Sequence, residues 1–77
     1  MPNINTIPVD LYRKALKKLG LEYVRTKGGH EIWARADLDR DVVFSNHSKE
    51  ISGMQVRSNC RTLKISPDIF MKLVNTL

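Results

Sequence analysis

The chain's two histidines, His30 and His47, are its natural candidates for acid–base chemistry near neutral pH. Histidine alone has an unperturbed pKa in that range. His30 closes the run Lys27-Gly28-Gly29-His30. Paired glycines between alternating segments fit a two-residue hairpin loop, because they accept the positive backbone dihedrals such loops need. Backbone so uncrowded admits a phosphate close by, with the Lys27 ammonium beside it. The same residues also fit a purely structural histidine at the start of a strand, and the pattern alone leaves both open.

The elements that position these residues follow from periodicity. From Pro8, the apolar positions Leu11, Tyr12, Ala15, Leu16 and Leu19 mark one face of a helix, with Arg13, Lys14, Lys17 and Lys18 opposite. Pro8 suits its first turn, Asp10 its positive end and Gly20 its C-terminal cap. Those four cations read as a solvated face or as an attraction for RNA. Residues before Pro8 read as an extended lead-in.

Leu21 to Lys27 and His30 to Ala36 read as two hairpin arms. A Gly28-Gly29 loop pairs Lys27 with His30, Arg25 with Ile32, Val24 with Trp33 and Tyr23 with Ala34. Tyr23, Arg25, Lys27, His30 and Ile32 then share an exposed face. Glu22, Val24, Thr26, Glu31, Trp33 and Arg35 share the other, with Val24 and Trp33 toward the core and Glu31 reaching for solvent at the hairpin end. A bulge would reverse these facings for one strand. Val42-Val43-Phe44 forms a third strand and Ser45 to Glu50 a loop. Ser52 and Gln55 make a capping box for a second helix. That helix carries an apolar stripe of Val56, Cys60 and Leu63, and a basic stripe of Arg57, Arg61 and Lys64. Ser66-Pro67-Asp68 starts a third helix, whose apolar face is Ile69, Phe70, Leu73, Val74 and Leu77. The order is α-β-β-β-α-α: an α+β fold, a three-stranded antiparallel sheet with helices packed on one face. Trp33 and Cys60 read as core residues, while Tyr23 is open to base stacking.

At 77 residues the chain is a single domain, 1–77, with room for one small core. A net charge of +5 fits a nucleic-acid binder or a protein that pairs with an acidic partner. One cysteine precludes an internal disulfide, and there is no Cys/His cluster spaced for zinc. A reducing cytoplasm is the expected location. Neither an export signal nor a membrane span is expected.

The runs Leu19-Gly20-Leu21, Val24 to Trp33, His47-Ser48-Lys49-Glu50-Ile51 and Leu63-Lys64-Ile65-Ser66 resemble the HicA family of small toxins over roughly Leu11 to Leu73. The resemblance implies a double-stranded-RNA-binding-like fold and an mRNA-cleaving ribonuclease held inactive by a HicB antitoxin. It also implies a monomer when free and a hetero-oligomer with the antitoxin. The family's hallmark is a glycine, serine, histidine turn followed by an aromatic residue, matched here by Gly28, His30 and Trp33. The serine position is Gly29, and Phe44-Ser45-Asn46 lacks the proline that often precedes the family's second histidine. His30 is the implied catalytic residue. Arg25, Lys27, Gly28, Gly29, His47, Lys49, Arg57, Arg61 and Lys64 are the expected RNA-contacting set, with Lys27 and Lys49 stabilising charge on the phosphate. No cofactor is expected, and cleavage is expected to be metal-independent because no convincing carboxylate cluster offers a magnesium site. Two other readings stay open: a non-catalytic RNA-binding module of the same fold, and a structural protein whose basic surface binds an acidic partner.

Overall fold

In the computed structural model, which describes residues 3–77, the first amphipathic stripe forms helix α1, Val9–Lys18. Tyr12, Ala15 and Leu16 are fully buried along it. Pro8 stands one position earlier than expected, as the N-cap. At the other end Gly20 takes a φ of 87°. The Leu21 and Gly20 amides then donate to the carbonyls of Leu16 and Lys17, closing the helix as anticipated.

Three strands follow: β2 (Glu22–Lys27), β3 (His30–Ala34) and β4 (Val42–Ser45), forming an antiparallel sheet in the order β2-β3-β4. Alternation along β3 and β4 buries Trp33, Val42 and Phe44. The second helix of the sequence reading is α2 (Gly53–Leu63) and the third is α3 (Pro67–Asn75). Their N-caps are Ser52 and Ser66, each accepting a backbone hydrogen bond from three residues on. The capping box is one-sided, because the Gln55 side chain accepts from the Ser45 amide on β4 instead of turning back to Ser52. Asn59 donates both to the Tyr12 hydroxyl and to the Val43 carbonyl. Side chains of α2 thus satisfy backbone groups on an edge strand that would otherwise be open to foreign pairing. Tyr12 sits edge-on to Phe44 at 5.0 Å and tilted against Phe70 at 5.6 Å, joining α1, the sheet and α3. The result is the α+β arrangement expected, with helices over one face of the sheet.

Four local expectations are corrected. The hairpin register holds for Lys27–His30 and Arg25–Ile32 but shifts at Val24, so that Tyr23 pairs with Trp33 and Glu22 with Ala34. Val24 is the extra residue of a bulge and is exposed rather than core. The shift lays Tyr23 edge-on against Trp33 at 5.7 Å. The lead-in and the polar loop after β4 are also tied together: Ile7–Pro8 (β1) pairs antiparallel with Glu50–Ile51 (β5). Met1 and Pro2 lie outside the described residues. On α3 only Phe70 and Val74 are buried, while Ile69 and Leu77 are exposed.

The fourth correction concerns Glu31, which does not reach for solvent: it is 3 % exposed. Arg13, expected on a solvated face, turns inward to meet it. Arg13 Nε donates to both carboxylate oxygens at 3.0 Å and Nη2 donates to Oε2. Trp33 Nε1 adds a hydrogen bond at 3.1 Å and Asn46 Nδ2 another at 3.0 Å. The Arg13 bonds hold the Glu31 carboxyl at about 2, well below its ordinary 4.5, against the opposing cost of burial.

A carboxyl depressed in the folded state stabilises fully above its unfolded value and loses that contribution as pH falls through the folded one. Glu31→Gln is expected to cost about 2–3 kcal/mol at pH 7. The deficit is expected to shrink as pH falls from 4.5 toward about 2. Urea denaturation across that range measures it, and a pH-independent deficit would contradict this role for the pair.

Candidate active site

The Gly28-Gly29 loop has φ of 57° and 80°, the two left-handed conformations of a tight hairpin turn that glycine adopts without strain. It sets Lys27 opposite His30, and His30 opposite Ser45 on β4. The next row on that face is Arg25, Ile32 and Val43. This is the sheet face away from the helices, so Arg25, Lys27 and His30 are all exposed, as the hairpin pattern anticipated.

His47 joins them from the β4–β5 loop. The Asn46 amide donates to the Gly29 carbonyl at 2.9 Å, and the Asn46 side chain reaches the Glu31 carboxylate. The His47 amide faces Ser45 Oγ at 3.4 Å. Held there, the exposed His47 imidazole lies against Gly29, where a Cβ would run into the ring. Its centroid is 6.1 Å from that of His30, with the rings at 86°. The sheet is joined to α2 by Gln55 and Asn59.

Lys27, Gly28, Gly29, His30 and His47 therefore form one cluster, with Arg25 a row away. Lys49 flanks it: its carbonyl accepts from the Val9 amide at 2.8 Å, and it borders a shallow cleft with Asp10, Arg13, Asn46 and Ser48. Arg57 and Arg61 on α2 and Lys64 at its C-cap are exposed, and Arg61 and Lys64 belong to a different neighbourhood. From Gln55, which touches β4 at Ser45, to Lys64 the helix rises roughly 14 Å. Arg61 and Lys64 line a polar cleft of ≈ 320 Å³ with Asp39, Arg40, Ser58 and Thr62.

Asn46, Glu31 and Arg13 were not among the residues singled out for the site. The signal available was Glu31 sharing a strand face with Trp33, an inward carboxylate that demands a cation. On the helix side of the hairpin, Arg13, Lys17, Tyr23, Thr26, Glu31, Trp33 and Asn46 line an open groove. Trp33 is buried there, as expected of a core residue, and Tyr23 is half exposed with its hydroxyl 2.6 Å from Thr26 Oγ1. Cys60 is buried and its thiol is pushed up to about 11 by desolvation, which leaves it a poor nucleophile.

The cluster offers two imidazoles and a nearby cation around backbone that a phosphate can approach. Among the described residues no helix is long and apolar enough to cross a membrane. Comparison with curated proteins and with solved structures finds no match. The family model for the HicA toxin of bacterial toxin–antitoxin systems matches residues 12–65, a span containing α1 from Tyr12 onward, the whole three-stranded sheet, both histidines and α2. The chain belongs to the HicA toxin family.

Proposed function

We propose that this toxin is an endoribonuclease that cleaves mRNA with His30, and that a HicB-like antitoxin holds it inactive. The observation that carries the proposal is the exposed His30 imidazole at a two-glycine turn, with Lys27 directly across the strand pair. His30 acts on the ribose 2′-hydroxyl or on the leaving oxygen, and Lys27 stabilises the charge that develops on the phosphate. Gly28 and Gly29 let the phosphate approach the backbone. Lys49 and Arg25 flank the bound strand. The cations on α2 hold RNA further along. An antitoxin that covers the Lys27–His30 face excludes substrate with acidic or hydrogen-bonding groups.

His30→Ala is expected to lower cleavage of single-stranded RNA by about 10²–10⁴-fold. Because His30 is exposed, its fold, read by circular dichroism, and most RNA binding are expected to persist. Wild-type cleavage is expected to continue in a chelator. Undiminished cleavage by the variant would contradict the assignment, and RNA binding without cleavage by the wild type would make the protein a binding module.

Replacing Arg57, Arg61 and Lys64 together by alanine removes three phosphate partners. The slope of log affinity against log salt is then expected to fall by about 2, measured by fluorescence anisotropy on single-stranded RNA. An unchanged slope would move the RNA path off α2.

A further inference from the structure

We infer that His47 is a second catalytic imidazole, working with His30 as an acid–base pair across one phosphodiester. The inference rests on the ribonuclease reading and assigns the half of the proton transfer that His30 leaves undone.

Three independent features converge on it. The chain's two histidines are 17 positions apart, yet their rings come to 6.1 Å in an edge-on arrangement. At that separation the two rings are close enough for each to reach a different oxygen of one phosphate lying across both. Second, the loop bearing His47 is held where it leaves β4. Ser45 donates its amide to Gln55 of α2. Asn46 is bonded through its amide to Gly29 and through its side chain to Glu31, itself fixed by Arg13 and Trp33. The ion pair of Arg13 with the buried Glu31 carboxylate thus anchors Asn46, the residue next to His47. Third, the residue under the ring is Gly29, where a Cβ would meet the His47 ring as it now lies. Glycine at this position does two things: it makes the turn and it makes room for His47.

The chemistry that two imidazoles around a phosphate perform is transesterification. One neutral imidazole takes the proton from the ribose 2′-hydroxyl, and the 2′-oxygen forms a bond to phosphorus. The bond from phosphorus to the 5′-oxygen breaks, and that oxygen takes a proton from the other, protonated imidazole. A 2′,3′-cyclic phosphate and a 5′-hydroxyl leave, no electrons are transferred to or from the protein, and the two imidazoles have exchanged protonation states. Proton exchange with water restores them. The charged groups on the elements around the pair are Lys27, Arg25 and Glu22 on β2, Glu31 on β3 with its partner Arg13 on α1, Lys49 in the loop and Glu50 on β5. Asp10 lies behind Arg13, 2.6 Å from its Nη1.

The test is the pH dependence of kcat and kcat/KM on a single-stranded RNA, for wild type, His30→Ala, His47→Ala and Asn46→Ala. The wild type is expected to give a bell, because one ring must be neutral and the other protonated. His47→Ala is expected to lower kcat by about 10²–10⁴-fold, to leave KM and circular dichroism near wild type, and to lose one limb of the bell. Asn46→Ala keeps both rings but frees the loop, so it is expected to lower kcat while keeping both limbs. A His47→Ala enzyme that cleaves at the wild-type rate, or that keeps both limbs, overturns the inference while leaving His30 in place. Loss of wild-type cleavage in a chelator overturns it as well, since the pair would then be holding a metal. A His30→Ala enzyme as active as wild type strikes instead at the ribonuclease reading, and the pair falls with it.

Discussion

A carboxylate placed where a core side chain belongs governs this small fold. Glu31 sits on the inward face of the central strand, between residues whose neighbours are Trp33 and Phe44. Left unpaired, such a charge would cost several kcal/mol. It is stable there because Arg13 reaches down from α1 with a guanidinium fork, and Trp33 and Asn46 satisfy what remains of its oxygens. Among the described residues no buried side-chain polar atom lacks a partner. Apolar packing of similar shape would hold α1 to the sheet equally well, so the ion pair contributes direction more than strength. The group it directs is Asn46, and through Asn46 the loop that carries His47.

The hairpin solves the complementary problem of separating chemistry from core. With both turn residues in left-handed conformations, the register fixes Lys27 and His30 on the outer face. Continued without interruption, that register would have paired Tyr23 with Ala34. The bulge at Val24 re-aims the first half of β2 and swings Tyr23 onto Trp33. An outer face of Arg25, Lys27 and His30 thus lies over an inner layer of Trp33, Val42 and Phe44. The β4 edge of the sheet is covered by α2, whose Gln55 and Asn59 hold that strand by its backbone. The His30–His47 cluster at the glycine-turn end and the Arg61–Lys64 cleft beside Asp39 and Arg40 therefore stand on one sheet-and-helix scaffold.

What could be read in the amino-acid sequence is what depends on neighbours in the chain. The stripe from Tyr12 to Leu16, the Gly20 cap, the Ser52 and Ser66 caps and the two-glycine turn each follow from side-chain type at fixed spacing, and each is found. Features that depend on a remote partner were not legible. The pairing of Ile7 with Ile51 spans a two-residue bridge, too short to carry a period. Val24 looks like a core residue in any alternating pattern, and only its contact with the rest of the sheet makes it the bulge. Glu31 was correctly placed on the inner face. Its cation, though, lies 18 residues earlier on a helix whose charges look uniformly solvated. For the site, the Lys27–His30 face was visible in the turn, whereas the meeting of His30 with His47 required the loop clamp that only the folded chain contains.

The reaction proposed for this toxin is attack by a ribose 2′-oxygen, catalysed by imidazole groups at the glycine turn. An oligoribonucleotide carrying a single 2′-deoxy substitution on the 5′ side of the cut tests it most directly, with the termini of the all-ribose products read by mass spectrometry. The deoxy position is expected to resist cleavage, and the all-ribose products are expected to end in a 2′,3′-cyclic phosphate, or its hydrolysed form, and a 5′-hydroxyl. Cleavage at the deoxy position, or products ending in a 3′-hydroxyl and a 5′-phosphate, would contradict it.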